Sequence, residues 1–254
     1  MSRNRVLVLV LPLLLAAVPA AAQFVAPGGV VPVVANNAGA QGTYWRSDVN
    51  VLNVSGENTT IQMQLFPNTG PGGGAYEPQL SDPIDIPAGQ QRAFTNVVQS
   101  VFGMPETYGT LWIYSLDGKP LVITSRTYTP GGGGTYGQDV SSVLVAAQAW
   151  IAGVEHDSLF RTNVGIFWPW SQPTQFTVEV FTSSGEQVGG GTVTFVDAGL
   201  QQLSLETFGV SDLVSGWVKI TASDAQMVWY AYGSTVDQKT GDAVYRVARG
   251  HQLQ

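Results

Sequence analysis

Apolar and polar side chains alternate with a period of two along much of the chain. The segments Ile61–Leu65 and Phe176–Val180 show it most clearly, with apolar residues at every second position. Such runs place one set of side chains on a core and the other in water. Runs rich in β-branched and aromatic residues, which favour strands, are Val49–Val54, Thr110–Tyr114, Leu121–Tyr128, Gly191–Phe195, Trp217–Thr221 and Met227–Tyr232. Helical periodicity is almost absent, so the pattern predicts an all-β protein.

The chain also repeats itself. Thr43–Gly70 aligns without a gap over Ser158–Gly185, and Gly109–Tyr128 aligns without a gap over Gly216–Thr235. Between these blocks, the AGQQ that begins at Ala88 matches the AGLQ that begins at Ala198. Two units of roughly 105 residues are each large enough to be a domain, which indicates a duplication. Features that both copies share are expected to concern the fold, and features of one copy alone are candidates for function.

Short strands separated by frequent turns predict two tandem immunoglobulin-like β-sandwich domains. The expected boundaries are a signal peptide at 1–22, an extended N-terminal segment at 23–37, a first sandwich at 38–142 and a second at 143–250. Val30–Val34 and Val143–Ile151 are the expected first strands of the two units. We expect the units to be joined near residues 138–142.

Several short segments predict the connections between the strands. Asp117-Gly118 lies between two predicted strands and indicates a hairpin turn. The glycine-rich stretches Pro71–Gly74, Gly131–Gly134 and Gly189–Gly191 have no following helix, so they favour flexible hairpin connections over a phosphate-binding loop. The segments Asn96–Phe102 and Glu206–Leu213 predict short helical crossovers, each with a Phe-Gly pair whose glycine adopts a left-handed conformation.

The N-terminus predicts export. Arg3 and Arg5 precede an apolar run, Val6–Val18, and Ala20–Ala22 provides small residues for cleavage before Gln23. The composition of this segment is typical of a bacterial signal peptide. No other long apolar run follows, so we expect a periplasmic, cell-surface or extracellular protein without membrane insertion. The whole chain has no cysteine, so its stability is expected to come from core burial rather than disulfides.

The charge distribution argues against nucleic acid as a partner. Removal of the signal peptide leaves 9 basic and 18 acidic residues, and neither sign forms a run. Nucleic acids and anionic membranes are recognised by clustered Lys and Arg, which the chain lacks. Charged residues make up only 11% of the sequence.

Candidate chemistry is sparse. The histidines are His156, in a polar turn before a strand, and His251 near the end, and neither belongs to a GxSxG or HExxH motif. The scattered acidic residues select no catalytic pair, so a hydrolase is a distant alternative. Asp237 and Asp242 offer a weak calcium candidate on a turn, against which the intervening Lys239 argues. We expect no catalytic residues and no cofactor.

Two arginines occupy one repeat position. Arg46 and Arg161 each follow an aromatic residue and stand two positions before Asp48 or Asn163. A guanidinium repeated in both copies is most simply structural, with its donors holding a neighbouring strand or loop, and a ligand role is the alternative.

Trp168 and Trp170 are a feature of the second copy alone, because the first copy has Asn53 and Ser55 in their place. Two indoles that flank Pro169 could stack on sugars or anchor a protein partner. They could instead fill the junction between the units, or belong to the core of the second unit.

The ends of the two units support a resemblance. Trp229–Asp237 (WYAYGSTVD) followed by Thr240–Asp242, and in the first unit Ser125–Tyr128 with Gly134–Gln138, are similar to the repeat endings of uncharacterised exported bacterial proteins with tandem Ig-like β-sandwich units. The resemblance extends over roughly residues 38–248. It implies the repeat fold and no activity.

The sequence therefore predicts a non-catalytic exported protein that interacts with an extracellular protein or glycan through duplicated Ig-like modules. A carbohydrate-binding module that uses exposed aromatic residues is the alternative.

Overall fold

The structure, a computed structural model, describes residues 26–68 and 77–250. The predicted signal peptide, the stretch Pro71–Gly74 and His251 lie outside these residues. The described chain is all-β, as the alternation predicts, and its strands pair antiparallel. None of the described helices has the length and apolar composition needed to cross a bilayer.

The first half of the described chain, residues 26–142, forms one nine-stranded sheet folded around a core. The elements are β1 Gly28–Ala38, β2 Tyr44–Asn53, β3 Thr59–Pro67, β4 Gln79–Leu80, β5 Ile84–Ile86, β6 Gln91–Phe94, α1 Val97–Phe102, β7 Thr107–Ser115, β8 Leu121–Gly131 and β9 Gly134–Asp139, with a 3-10 turn at Ala40–Gly42. The sheet order is β4-β3-β7-β1-β2-β8-β9, with β5 on β3 and β6 on β2. Strand β1 pairs with β7 on both sides of a register shift between Val31 and Val34, and its last three residues also pair with β2.

The second half, residues 143–250, forms two five-stranded sheets that enclose a separate core. Its elements are β10 Leu144–Ala146, β11 Gln148–His156, β12 Phe160–Trp168, β13 Thr174–Thr182, β14 Gln187–Phe195, β15 Gly199–Ser204, β16 Leu213–Ala222, β17 Val228–Asp237, β18 Ala243–Val247 and β19 Arg249–Gly250, with a 3-10 turn at Leu205–Phe208. One sheet has the order β10-β17-β12-β15 with β18 on β17, and the other has the order β14-β13-β16-β11-β19.

The strand pairing of the two halves is equivalent. Strands β2, β3, β7 and β8 pair as β12, β13, β16 and β17 do. The ungapped alignment of Gly109–Tyr128, however, is wrong after the turn. Val49 pairs with Ser125, whereas the equivalent Val164 pairs with Gly233, one residue later than the alignment expects. The second copy has one more residue between the strands, and a slip of one residue exchanges the two faces of a strand.

Two predicted turns differ in the structure. Asp117-Gly118 does not close a hairpin, because β7 pairs with β1 and β3 whereas β8 pairs with β2 and β9. The glycines Gly189–Gly191 lie inside β14 and not in a connection. A Cβ atom at Gly189 would lie 2.6 Å from the carbonyl oxygen of Phe208, so the missing side chain lets the 3-10 turn pass close to this strand.

The predicted crossovers are present as α1 and the 3-10 turn Leu205–Phe208, the second shorter than expected. Gly103 and Gly209 end them in the predicted left-handed conformation, with φ of 66° and 82°. The glycines Gly131–Gly134 lie at the tip of the β8–β9 hairpin, as predicted for this stretch.

The two halves meet through an apolar contact. Phe167, Leu200 and Tyr232 of the second half are buried in the same cluster as the core of the first half. The ring of Phe66 meets that of Phe167 edge-on, with centroids 5.1 Å apart. The ring of Tyr230, on the neighbouring strand, lies with its centroid 5.9 Å from that of Phe167. We call this contact the junction; the outward face of β12, β15 and β17 is thus covered by the first half.

Alkaline pH is expected to weaken the junction through Tyr230. Burial raises the pKa of Tyr230 from 10.0 to about 12. The unfolded chain therefore ionises first, so stability is fully present below pH 10 and is lost as the pH rises toward 12. Two pH units correspond to roughly 2–3 kcal/mol.

Replacement of Tyr230 by Phe keeps the ring and removes this ionisation. Urea unfolding of Tyr230→Phe should match that of the parent protein at pH 7 and show a smaller loss of stability between pH 10 and 12. An identical pH dependence in the two proteins would contradict this account.

Candidate functional site

Trp168 lies in the core of the second half. Its side chain is 0% exposed, its ring centroid is 5.9 Å from that of Phe176, and its Nε1 donates to the carbonyl oxygen of Gln172 at 2.8 Å. Trp168 therefore offers no ring face to a ligand and does not fill the junction. The period-two alternation of β12 explains this placement, because Trp168 follows Val164 and Ile166 on the inward face.

Trp170 is separated from this core. It is 39% exposed, and its Nε1 donates to the carbonyl oxygen of Val228 at 2.8 Å. The hydrogen bond orients the indole and leaves part of its surface open to solvent. The two tryptophans thus do not form one aromatic platform.

Asn53, the counterpart of Trp168, is also fully buried. Its Nδ2 donates to the carbonyl oxygens of Glu57 and Ile86 at 2.7 and 3.1 Å. One copy fills this position with a side-chain amide that holds two loops, and the other fills it with an indole. The difference between the copies at this position therefore concerns packing.

The calcium candidate forms a self-contained turn. Oδ1 of Asp237 accepts hydrogen bonds from the backbone N–H groups of Thr240 and Lys239 at 2.9 and 2.7 Å, and these lower the pKa of Asp237. Oδ1 of Asp242 accepts from the N–H of Ala243. Within residues 26–68 and 77–250, no group of three or more His, Cys, Asp or Glu side chains is arranged to hold a metal ion.

His156 is partly buried at the end of β11. Its Nδ1 accepts a hydrogen bond of 3.4 Å from the backbone N–H of Thr162, and burial lowers its pKa. These features tie the imidazole to the neighbouring β12.

The two repeated arginines have different surroundings. Arg46 is exposed, with its guanidinium 5.4 Å from the centroid of the Tyr44 ring. Arg161 is half-buried against the first half, and burial lowers the pKa of its guanidinium. The salt bridges of the described residues join Lys119 to Glu57 and Lys219 to Glu179, so neither involves Arg161.

Arg161 lines a cavity of about 190 Å³ between the two halves. The first half contributes the end of β1, the turn after it, and side chains of β2, β7, β8 and β9; the second half contributes β12, β15 and β17. The lining residues are Val33, Ala35, Asn37, Gly39, Ala40, Trp45, Tyr108, Thr127, Gln138, Arg161, Asn163, Gln202, Ser234 and Val236. We call this space the junction cavity.

Polar groups in the junction cavity are only partly satisfied. Nε2 of Gln138 donates to Oγ of Ser234 at 3.2 Å, while its Oε1 is buried with no hydrogen-bond partner. Oε1 of Gln202 accepts a hydrogen bond of 2.6 Å from the hydroxyl of Tyr232. The apolar part of the lining includes Trp45 and Val236, which pack in a small cluster of their own.

Sequence reasoning singled out Arg161 but missed the other members of this cavity. Gln138 and Ser234 lie in the repeat endings, which indicate the fold and no chemistry. Together with Asn163 and Gln202 they come from four different strands, so no spacing along the chain groups them. The available signal was the repeat itself, because Arg161 stands where the first copy has another arginine.

Aromatic residues also occupy the outer faces of the sheets. Trp112, 38% exposed, meets Tyr114 on β7 with ring centroids 6.3 Å apart. In the second half, Phe181 and Trp217 stack at 4.1 Å and are both half-buried. The sequence pattern places these aromatic residues on predicted strands and gives no signal that they are exposed.

The chain was compared with protein families, curated proteins and solved structures. No protein-family model, no curated protein and no solved structure matches the chain.

The placement of Trp168 in the core can be tested by comparing the stability effects of substituting Trp168 and Trp170. Trp168→Ala should lower the free energy of unfolding by about 3–5 kcal/mol, because it leaves a cavity among buried aromatic rings. Trp170→Ala, which removes one hydrogen bond at the surface, should cost about 1 kcal/mol. Urea denaturation of the mature chain compares the two variants. Equal effects, or a loss below about 1 kcal/mol for Trp168→Ala, would contradict the assignment.

Proposed function

We propose that the chain is a non-catalytic exported protein whose two tandem immunoglobulin-like modules present aromatic surfaces to an extracellular or cell-surface partner. The equivalent strand pairing of the two halves supports the tandem modules. The basic, apolar and small-residue pattern of residues 1–22 supports export from a bacterial cell.

The observation that carries the proposal is the aromatic pair Trp112 and Tyr114 on the outer face of β7. Ile113 and Ile220 are repeat equivalents, because they pair with Met63 and with the equivalent Val178. Their neighbours differ, since Lys219 and Thr221 stand in the second copy where the first copy has the two aromatic residues. The fold therefore does not require Trp112 and Tyr114 at these positions.

Exposed aromatic residues are costly to leave in water and are enriched in the energetic centres of protein interfaces. Trp112 and Tyr114 lie on regular strand, where the backbone holds the rings in a fixed arrangement. A rigid aromatic pair loses little conformational entropy when a partner binds. This face is suited to binding and has no evident role in the core.

Carbohydrate is the second candidate partner, and the amides beside the rings favour it. Gln64 pairs across the strands with Trp112, and the hydroxyl of Tyr114 donates to Oε1 of Gln62 at 3.0 Å. An aromatic face next to amide groups offers both stacking and hydrogen bonds to a sugar ring. If the protein binds carbohydrate, we therefore expect the sugar to contact the outer face of the first half, and not Trp168 and Trp170.

The proposal predicts a partner at Trp112. A photoreactive phenylalanine derivative in place of Trp112, in the cells that produce the protein, should form a covalent adduct with a partner protein outside the cytoplasm. The same substitution at Val214, 73% exposed on β16, is the control and should form none. Retardation in polysaccharide gels tests the glycan alternative.

The variant that exchanges the aromatic pair for its repeat equivalents, Trp112→Lys with Tyr114→Thr, should lose the interaction and keep the unfolding midpoint. Absence of both adduct and retardation, or equal adducts at Trp112 and Val214, would overturn the proposal.

A further inference from the structure

The junction uses one face from each half, and the duplication supplies a second version of each face. In the junction, Phe66 of the first half packs on Phe167, which pairs with Tyr230 on the outer face of the second half. The strand pairing of the two halves is equivalent, so each of these residues has a counterpart in the other half. The counterparts lie outside the apolar cluster of the junction and form two further faces.

The counterpart of Phe66 in the second half is Phe181. Phe66 pairs with Thr110 and Phe181 pairs with Trp217, at the same place in the two halves. Phe66 is buried, whereas Phe181 and Trp217 are half-buried and stack with ring centroids 4.1 Å apart. The second half therefore keeps an aromatic surface in contact with solvent where the first half makes its contact. We call this surface around Phe181 and Trp217 the docking face.

The counterpart of Phe167 in the first half is Leu52, on the outer face of β2. Leu52 pairs with Val122 as Phe167 pairs with Tyr230. Val122 is 38% exposed and Leu52 is half-buried, so this apolar pair keeps contact with solvent. Apolar side chains thus occupy this position in both copies, although the junction covers the second copy alone. We call the surface around Leu52 and Val122 the acceptor face.

An acidic residue stands beside the docking face at a position that the junction uses. The N–H of Ala35 donates to Oγ of Ser47 at 2.8 Å, and the N–H of Glu155 donates to Oγ1 of Thr162 at 3.2 Å. Ser47 and Thr162 are aligned in the repeat. Glu155 is therefore the counterpart of Ala35, which belongs to the first half's side of the junction.

The charges of the two faces are complementary. Ala35 lines the junction cavity together with Arg161. A contact of the same geometry between two copies places the carboxylate of Glu155, and that of Asp157 two residues later, on the side of Arg46, the repeat equivalent of Arg161. Arg46 is exposed, and the salt bridges of the described residues do not include it. Opposite charges that meet across a contact favour this pairing of faces over others.

We propose that the chain associates head to tail with further copies of itself by repeating the junction between molecules. The docking face of one copy covers Leu52 and Val122 of the next. The contact joins two different faces, so every bound copy still offers one face of each kind, and growth continues beyond a dimer unless a ring closes. The inference goes beyond the proposed function, because Trp112 and Tyr114 belong to neither face.

The contact between copies is weaker than the junction. Residues 140–143 connect β9 to β10, and a short linker gives the joined halves an effective concentration in roughly the millimolar range. Separate copies lack this advantage. Leu52 and Val122 also bury less apolar surface than the aromatic pair of the second half. We therefore expect association at high protein concentration.

Sedimentation velocity of the mature chain tests the assembly. The mean mass should rise continuously with protein concentration, up to about 1 mM, and exceed that of a dimer. A chain that stays monomeric over this range, or that stops at a dimer, would overturn the proposal.

Two single variants separate the faces. Phe181→Glu blocks the docking face and Val122→Glu blocks the acceptor face, so each variant alone should remain monomeric. An equimolar mixture should form a dimer and no larger species, because one intact face of each kind remains. The variant Trp112→Lys with Tyr114→Thr is the control and should associate as the parent does. A mixture that stays monomeric while both variants keep the parent's unfolding midpoint would overturn the proposal.

Charge reversal tests the same contact without a change in its apolar residues. Arg46→Glu and Glu155→Arg should each weaken association at least roughly 10-fold, because each variant places like charges opposite one another. A chain that carries both changes restores opposite charges and should recover most of the association. Unchanged association of the single variants, or no recovery in the double variant, would contradict this pairing of faces.

Discussion

The burial of Phe167 between the two halves is the contact on which the rest of the arrangement depends. Phe167 is 0% exposed although it points away from the core of its own half. Strand β12 is therefore apolar on both faces, with Ile166 directed inward and Phe167 directed toward the first half. Strands buried on both faces are more common in parallel sheets, and here the first half of the chain covers the outer face of β12. The junction cavity exists because this contact fixes the walls around it.

Much of the fold follows from the sequence pattern, because the period-two alternation located most strands and the Phe-Gly pairs located both short crossovers. The sequence also carries a partial signal of the junction, because Val164–Trp168 has no polar side chain, whereas its repeat partner Val49–Asn53 contains two asparagines. The number of residues in the turn after β7 could not be predicted from the sequence. The additional residue in the second copy leaves the composition of the turn similar and shifts the register of the next strand. The polar counterpart of Trp168 suggests a position outside the core, yet Asn53 is equally buried, because its side-chain amide donates to backbone carbonyl oxygens.

The surroundings of the candidate site residues depend on tertiary contacts, which an alignment of the two repeats cannot predict. Arg46 and Arg161 share a backbone position, and their surroundings differ because the other half of the molecule lies against one of them. The same reasoning applies to Trp112, whose exposure follows from the outer side of β7 being left open. Comparison of internal copies therefore indicates where a difference lies, and the packing decides whether that difference serves the core, the junction or the surface.

The order of the two halves along the chain has a consequence for folding. Both halves rely on non-local pairing, such as that of Gly28 with Tyr114, which makes their formation slow compared with helical domains. The apolar outer face around Phe167 belongs to the half that is synthesised last. Proteins are synthesised from the N-terminus, so the whole first half has been made before the apolar face around Phe167 emerges. The face around Phe167 therefore emerges only after the surface that covers it has been synthesised.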